Sequence, residues 1–323
     1  MPNLDRRSFL AAFGSALAAA GLAGCSGDDS TTGTNGTGSD AAAGVSIDKA
    51  AYDQLIQSGP VASDETIAAS EWASKIKKNG KLRVGCTRTS TLFSLLDDTD
   101  NKVYGFDAGL YQLLARYITG SQDNVELVQV TSDTRESVLQ NDQVDVVFAT
   151  YTITDARQEV ISFAGPYYTS QYSILVTEGN TEVTSLADLA GKNVAAQSGS
   201  TGPQLLEEYA PEADVQEFST DEEARAALEQ GRVDAYVFDD SMNRGSIVKN
   251  PGKYKVVGEV FGPIDPYGIG LPKGSDGVDF CDDFLVVIED NGDWGKLWQI
   301  TIGDRTGSTD VPAPPEITTR TNG

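Results

Sequence analysis

Leu139-Gln-Asn-Asp-Gln-Val144-Asp145-Val-Val-Phe-Ala-Thr150 is answered 89 residues further on by Leu228-Glu-Gln-Gly-Arg-Val233-Asp234-Ala-Tyr-Val-Phe-Asp239. In both stretches a helical run ends in a polar turn, Val-Asp opens a continuous apolar strand, and a polar residue stands six positions after the valine. A unit that occurs twice predicts two similar lobes. In open α/β sheets ligands sit beyond the carboxyl ends of the strands. Thr150 and Asp239 are therefore expected to face each other across a cleft.

Outward from this pair the pattern continues. Apolar runs predict strands over 82–86, 125–130, 144–148, 173–176, 194–196, 215–218, 235–238 and 255–260. Helical spacing predicts helices over 106–118, 135–141, 201–209 and 221–230. Strands alternating with helices indicate an α/β fold with largely parallel sheets. Segment 47–79 reads as a helical extension, either packed on the first lobe or spacing it from something else. Trp294 and Trp298, four apart in the last helix, read as core. The 303–323 tail, with Val311-Pro-Ala-Pro-Pro315, suits an extended segment or a loose end.

The amino terminus reads as an address. Arg6-Arg7-Ser8-Phe9-Leu10 is a twin-arginine pattern, an Ala-rich apolar run follows, and Leu22-Ala23-Gly24-Cys25 closes it. This predicts a signal peptide over 1–24 whose lipobox leaves Cys25 as an acylated residue. The competing reading is a buried Cys in an ordinary helix. Residues 25–46 are almost free of large apolar side chains and read as a flexible tether. The expected location is the outer face of the cell membrane, held by lipid.

The formal net charge is −24 over 323 residues. An acidic surface disfavours nucleic acid and anionic lipid as partners. There is no histidine, which excludes Ser-His-Asp and Cys-His catalysis and His-ligated metals. With only Cys86 and Cys281 beyond Cys25, a thiolate-rich metal site is excluded too. No cofactor is expected. Those two cysteines are compatible with one disulfide in an oxidising exterior or with two separately buried thiols.

Three constellations carry chemistry. Thr150-Tyr-Thr152-Ile-Thr-Asp-Ala-Arg157 leaves a strand with alternating hydroxyls and reaches an Arg in the next helix. A guanidinium fork with hydroxyls around it is a carboxylate receptor, although a capped helix with a surface Arg has the same pattern. Gln197-Ser-Gly-Ser200-Thr201-Gly202 ends a strand and opens a helix, which aims backbone N–H groups at an anion or merely caps the helix. Asp239-Asp240 stands at a strand end, either accepting an ammonium group or lying in a solvated loop. Together the three describe a free α-amino acid.

At this level the chain resembles the family 3 solute-binding proteins that feed polar amino acids to ABC transporters, and most closely the glutamate-binding lipoproteins of actinobacteria. The resemblance runs over about residues 80–300. It rests on Tyr104-Gly-Phe-Asp107, Thr134-Arg-Glu136, Val144 through Thr154, Phe163-Ala-Gly-Pro-Tyr-Tyr168, Gln197-Ser-Gly-Ser-Thr201, Gly231-Arg-Val-Asp234 and Tyr267-Gly-Ile-Gly-Leu-Pro272. It implies a two-lobed, periplasmic-binding-protein-like fold of type II, with lobe 1 from 80–172 and 270–302 and lobe 2 from 173–269. Two hinge strands, near 172–176 and 266–271, would close around one ligand. Arg157 would clamp the α-carboxylate with Thr152, Ser200 and Thr201, while Asp239 and Thr150 hold the α-ammonium. Arg135, and Arg88 within the acid-free Thr87-Arg-Thr-Ser90, would favour an anionic side chain. The implied partners are L-glutamate or another polar amino acid and an ABC permease with its ATPase; the implied state is a monomer without enzymatic activity. A dehydratase-type enzyme on the same scaffold and a sensor lipoprotein are the alternatives.

Overall fold

The computed structural model describes residues 46–319; the expected signal peptide, Cys25 and nearly all of the tether lie outside the described residues. Three helices come first, α1 (Lys49–Ser58), α2 (Asp64–Ala68) and α3 (Glu71–Asn79), with Asp48, Ser63 and Ser70 capping their amino ends. Each cap accepts an orphan N–H of the first turn, at Ala51, Thr66 and Ala73. The single helical extension expected over 47–79 is thus three helices, because Gly59-Pro60 and the Ser-rich turns interrupt it. Tyr52, Leu55, Ile56, Trp72 and Ile76 are buried in the main core, so the extension packs on the body.

Beyond α3 come β1 (Leu82–Cys86), β2 (Thr89–Ser90), β3 (Ser94–Asp97), β4 (Lys102–Tyr104), α4 (Phe106–Thr119), β5 (Val125–Gln129), α5 (Arg135–Gln140), β6 (Val146–Phe148) and α6 (Asp155–Gln158). The long β7 (Ser162–Thr177) leads to β8 (Asn193–Gln197), α7 (Gly202–Tyr209), β9 (Asp214–Phe218), α8 (Asp221–Glu229), β10 (Ala235–Asp239) and α9 (Asp240–Lys249). The longer β11 (Tyr254–Leu271) returns to α10 (Gly277–Asp290), α11 (Asp293–Trp298) and the short α12 (Asp304–Thr306).

Eight strands form one sheet in the order β5-β1-β6-β11-β7-β10-β8-β9, and β2, β3 and β4 form a small antiparallel sheet of their own. Each outer trio is parallel, and the β7–β11 pair between them is antiparallel to its neighbours. The two copies of the internal echo become β6 and β10, each the innermost strand of its trio. Val144 and Val233 are buried. The aspartates that follow clamp the neighbouring parallel strand in the same way: Asp145 Oδ2 accepts the Arg83 N–H at 2.9 Å, and Asp234 Oδ2 accepts the Asn193 N–H at 2.8 Å. Val-Asp therefore recurs because valine fills the core while aspartate pins the strand entry.

The chain crosses between the halves in β7, which meets β10 over Tyr172 to Leu175, and in β11, which meets β6 at Gly270. Apolar runs in the sequence mark only 173–176 and 255–260 of these strands. β11 changes register between Val257 and Phe261, Phe261 and Asp265, and Tyr267 and Ile269. Such bulges break the two-residue alternation by which strands are read. Cys86 and Cys281 are both buried free thiols in the core of the first half. The tail is docked: the Thr318 and Thr319 N–H groups both donate to the Gly165 carbonyl, at 2.9 and 3.3 Å.

Candidate functional site: a polar cavity between the two halves

The carboxyl ends of β6, β8 and β10 converge on a cavity of about 110 Å³. A water needs on the order of 10–15 Å³ by this measure, so the space suits a small amino acid. Arg135, Thr150, Thr152, Ser200, Thr201 and Asp239 all line it. The halves also touch beside it, where Ser198 Oγ donates to Asp133 Oδ2 at 2.7 Å. Gly199 is in the left-handed region there (φ +67°), and a Cβ on it would lie 2.4 Å from Asp133 Oδ1. Only glycine permits that approach.

Thr150 takes a positive φ of +44°, unusual for a β-branched residue. Its N–H donates to Asp107 Oδ2 at 2.9 Å, and the Tyr167 hydroxyl donates to Asp107 Oδ1, also at 2.9 Å. Asp107 is fully buried, and burial pushes its carboxyl up to about 7 against the pull of these donors.

Arg157 is nine-tenths buried in α6, whose first turn is capped by the Thr154 hydroxyl. Its Nη1 donates to the Thr152 carbonyl at 2.8 Å and its Nη2 to the Gly199 carbonyl in the other half at 2.9 Å. Nε lies 3.4 Å from Glu136 Oε1. One N–H on each Nη is left, the fork that a carboxylate takes in a bidentate pair.

Arg135 is 3% exposed, and its Nη1 donates to the Ala149 carbonyl at 3.0 Å. Its Nε has no hydrogen-bond partner. Burial first, and then the charge of Arg157, lower its guanidinium to about 10. Across the cavity Asp239 is 4% exposed, with Oδ1 unpartnered. Burial, then the neighbouring Asp265 carboxylate, raise Asp239 well above the usual range.

At the start of α7, Ser200 Oγ donates to the Gln197 carbonyl at 2.6 Å and accepts the Gly202 N–H at 3.1 Å, so that hydroxyl is spent on its own turn. The Thr201 hydroxyl is bonded to that of Tyr172 rather than to the helix, leaving α7 without a side-chain cap from Thr201. Neither Arg88 nor Arg157 is on the cavity wall. Arg88 stands between the lining residues Thr87 and Thr89, whereas Arg157 is held directly behind the wall by its bond to the carbonyl of the lining residue Thr152. The lining residues missed in sequence are Tyr172, the 129–132 stretch and Thr220 to Glu222; Asp265, off the wall but acting on Asp239, was missed as well. Asp265 left one readable signal: an acid two positions before Tyr267, both buried in a strand. Among the described residues no group of His, Cys, Asp or Glu gathers to hold a metal ion.

The comparisons agree with this geometry. The family model described as bacterial extracellular solute-binding proteins, family 3, matches residues 82–301. The glutamine-binding protein of Geobacillus stearothermophilus is 38% identical over 212 residues, covering 65% of this chain and 80% of that protein. The glutamate-binding protein GluB of Corynebacterium efficiens is 32% identical over 208 residues, covering 61% and 69%. Among solved structures, an ancestral arginine-binding protein bound to arginine superposes with a TM-score of 0.63 at 33% identity, covering 69% of this chain and 99% of that one. With its two halves closing on one polar cavity, the chain belongs to the bacterial extracellular solute-binding proteins of family 3.

Proposed function

We propose that the protein captures L-glutamate for import. As an amino-acid-binding component of an ABC transporter it holds its ligand without chemical change, and the ligand's identity is the step beyond that. The observation that carries it is Arg135, a cation buried at the cavity with no carboxylate partner. A buried charge is costly unless paired. Arg157 has its fork free for an α-carboxylate and Asp239 is positioned for the ammonium, so the anion that completes Arg135 is the ligand's side chain. Arg88, off the wall, has no part in this reading.

Calorimetric titration of the purified protein with glutamate, glutamine, aspartate and arginine tests it. Saturable binding of glutamate at about micromolar affinity, roughly −8 kcal/mol, with arginine silent, is the expected result. The similarity to a glutamine-binding protein favours glutamine as the second reading. Heat from glutamine with glutamate silent would assign Arg135 a purely structural charge.

We also propose that the chain is exported as a lipoprotein, acylated on Cys25 at the outer face of the membrane, and delivers its ligand as a monomer to a permease. The support is the twin-arginine and lipobox pattern of residues 6–25. Cys25→Ser should move the protein from the membrane fraction to the medium; retention of the variant would refute the anchor.

A further inference from the structure

The site contains a second acid that no ligand role explains. β7 lies between β10 and β11, with Asp239 in register with Tyr172 and Asp265 in register with Ser170. Positions 170 and 172 share a face of the strand, so both carboxylates leave the same face of the sheet, with Asp239 on the cavity wall and Asp265 behind it. Asp265 is 5% exposed and lies in hydrogen-bonding reach of Asp239 and Thr152. Asp239 Oδ1 and Asp265 Oδ2 each lack a partner.

We propose that Asp239 and Asp265 together are the receptor for the ligand's ammonium group, and that the empty pair holds one shared proton which passes to solvent when the ammonium enters. This rests on the amino-acid-binding reading above but not on glutamate in particular. Two buried carboxylates in contact do not both ionise without a cation between them. An ammonium group brings one positive charge and three donors, two of which answer the two unpartnered oxygens. The balance at the pair is one R–NH3⁺ in and one H⁺ out, so the two carboxylates with the ammonium carry the same net charge as the two carboxylates with the shared proton, while the ligand's own carboxylates are met by the guanidinium groups. Burial raises both acids, and Arg135 and Arg157 offset it only in part. The other titratable groups facing the pair are Tyr168 and Tyr172 from β7, Tyr236 from β10 and Tyr267 from β11, all held neutral by burial, with Asp240 of α9 engaged by Arg244.

The test is titration of the full chain with L-glutamate and then L-glutamine at pH 7, in two buffers of different ionisation enthalpy. The expected result is release of about one proton per ligand and an affinity that rises with pH by up to about tenfold per unit. Asp265→Asn should release almost none and bind about tenfold more weakly, with Asp265→Glu restoring proton release. Glutarate, which has no ammonium, should release none. Buffer-independent heat in the wild type, or unchanged affinity and proton count in Asp265→Asn, overturns the proposal. If glutamate is silent and glutamine binds with proton release, the glutamate reading falls and the carboxylate pair stands. If no amino acid binds, both fall.

Discussion

The guanidinium of Arg135 lies 4.2 Å from the centre of the Tyr151 ring, held between that aromatic face and the Ala149 carbonyl. A cation over a ring gains on the order of 1–2 kcal/mol, well short of the cost of an unpaired buried charge. The empty protein therefore carries a buried cation that the more distant Glu136 and Asp239 carboxylates offset only in part. Arg135→Met keeps the bulk and removes the charge. It should weaken glutamate by about 2–5 kcal/mol, at least roughly thirtyfold, while the melting temperature holds or rises. Calorimetry and thermal melts check both. A collapsed melting temperature with unchanged affinity would show that the charge serves the fold.

Arg157 differs because it joins the halves, reaching the Thr152 carbonyl in one and the Gly199 carbonyl in the other. Arg157→Ala should weaken every α-amino acid the protein binds, again by about 2–5 kcal/mol, without changing their ranking. Arg157→Lys should not rescue, because an ammonium cannot hold two carbonyls and grip a carboxylate as a fork does. Titration with glutamate and glutamine separates a uniform loss from a shift in selectivity. A variant within threefold of wild type removes Arg157 from the site.

Much of this was legible in the sequence because the echo at Val144 and Val233 encodes a backbone requirement as well as a core. Val-Asp recurs where a parallel strand must be pinned at its start, and the polar residue six positions on falls at the cavity. Arg157 and Asp239 stood out in the sequence as charges in a helix's first turns and at a strand end, and the structure puts Asp239 on the cavity wall and Arg157 behind it. Arg135, which also lines the cavity, was marked only by the family resemblance. Asp265 was not, because the bulges of β11 erase the alternation that would have assigned it a face. Arg88 sits between two residues of the cavity wall, and side chains that alternate along the chain cannot all reach it. The small sheet over 89–104 was missed because its strands run only two to four residues.

Asp107 predicts how stability follows pH. Its folded value of about 7 lies above the ordinary 3.8, so between those limits the native state holds a proton that the unfolded chain has lost. Stability therefore falls as pH rises from about 4 to 7, by roughly 3–4 kcal/mol for this group if fully expressed. Asp107→Asn keeps an acceptor for the Thr150 N–H and should flatten the profile. Urea unfolding at pH 5 and pH 8 measures this. A slope between those pH values that Asp107→Asn leaves unchanged would assign it to other acids, of which Glu289, also raised to about 7 by burial, is the first to try.

The amino-terminal helices lie outside the stretch matched by the family model, yet α3 is tied to α10 twice over. Asp276 accepts the N–H groups of Glu71 at 2.7 Å and Trp72 at 3.2 Å, a cap supplied from another element. The Trp72 ring then packs against Phe280 at 5.8 Å and over Gly277, where a Cβ would lie 2.6 Å from the indole. Trp72→Ala should cost about 3–5 kcal/mol through the cavity it leaves, and Asp276→Ala about 1 kcal/mol through the lost cap. Neither residue lines the cavity, so ligand affinity should stay within twofold of wild type. Gly277→Ala should destabilise by pushing aside the indole and the Leu271 side chain, 2.8 Å from such a Cβ, and less so in a Trp72→Ala background, where the ring is gone and only Leu271 obstructs. Denaturant unfolding of the two single variants and the double variant checks this: additive losses would show that the ring and the glycine do not depend on each other.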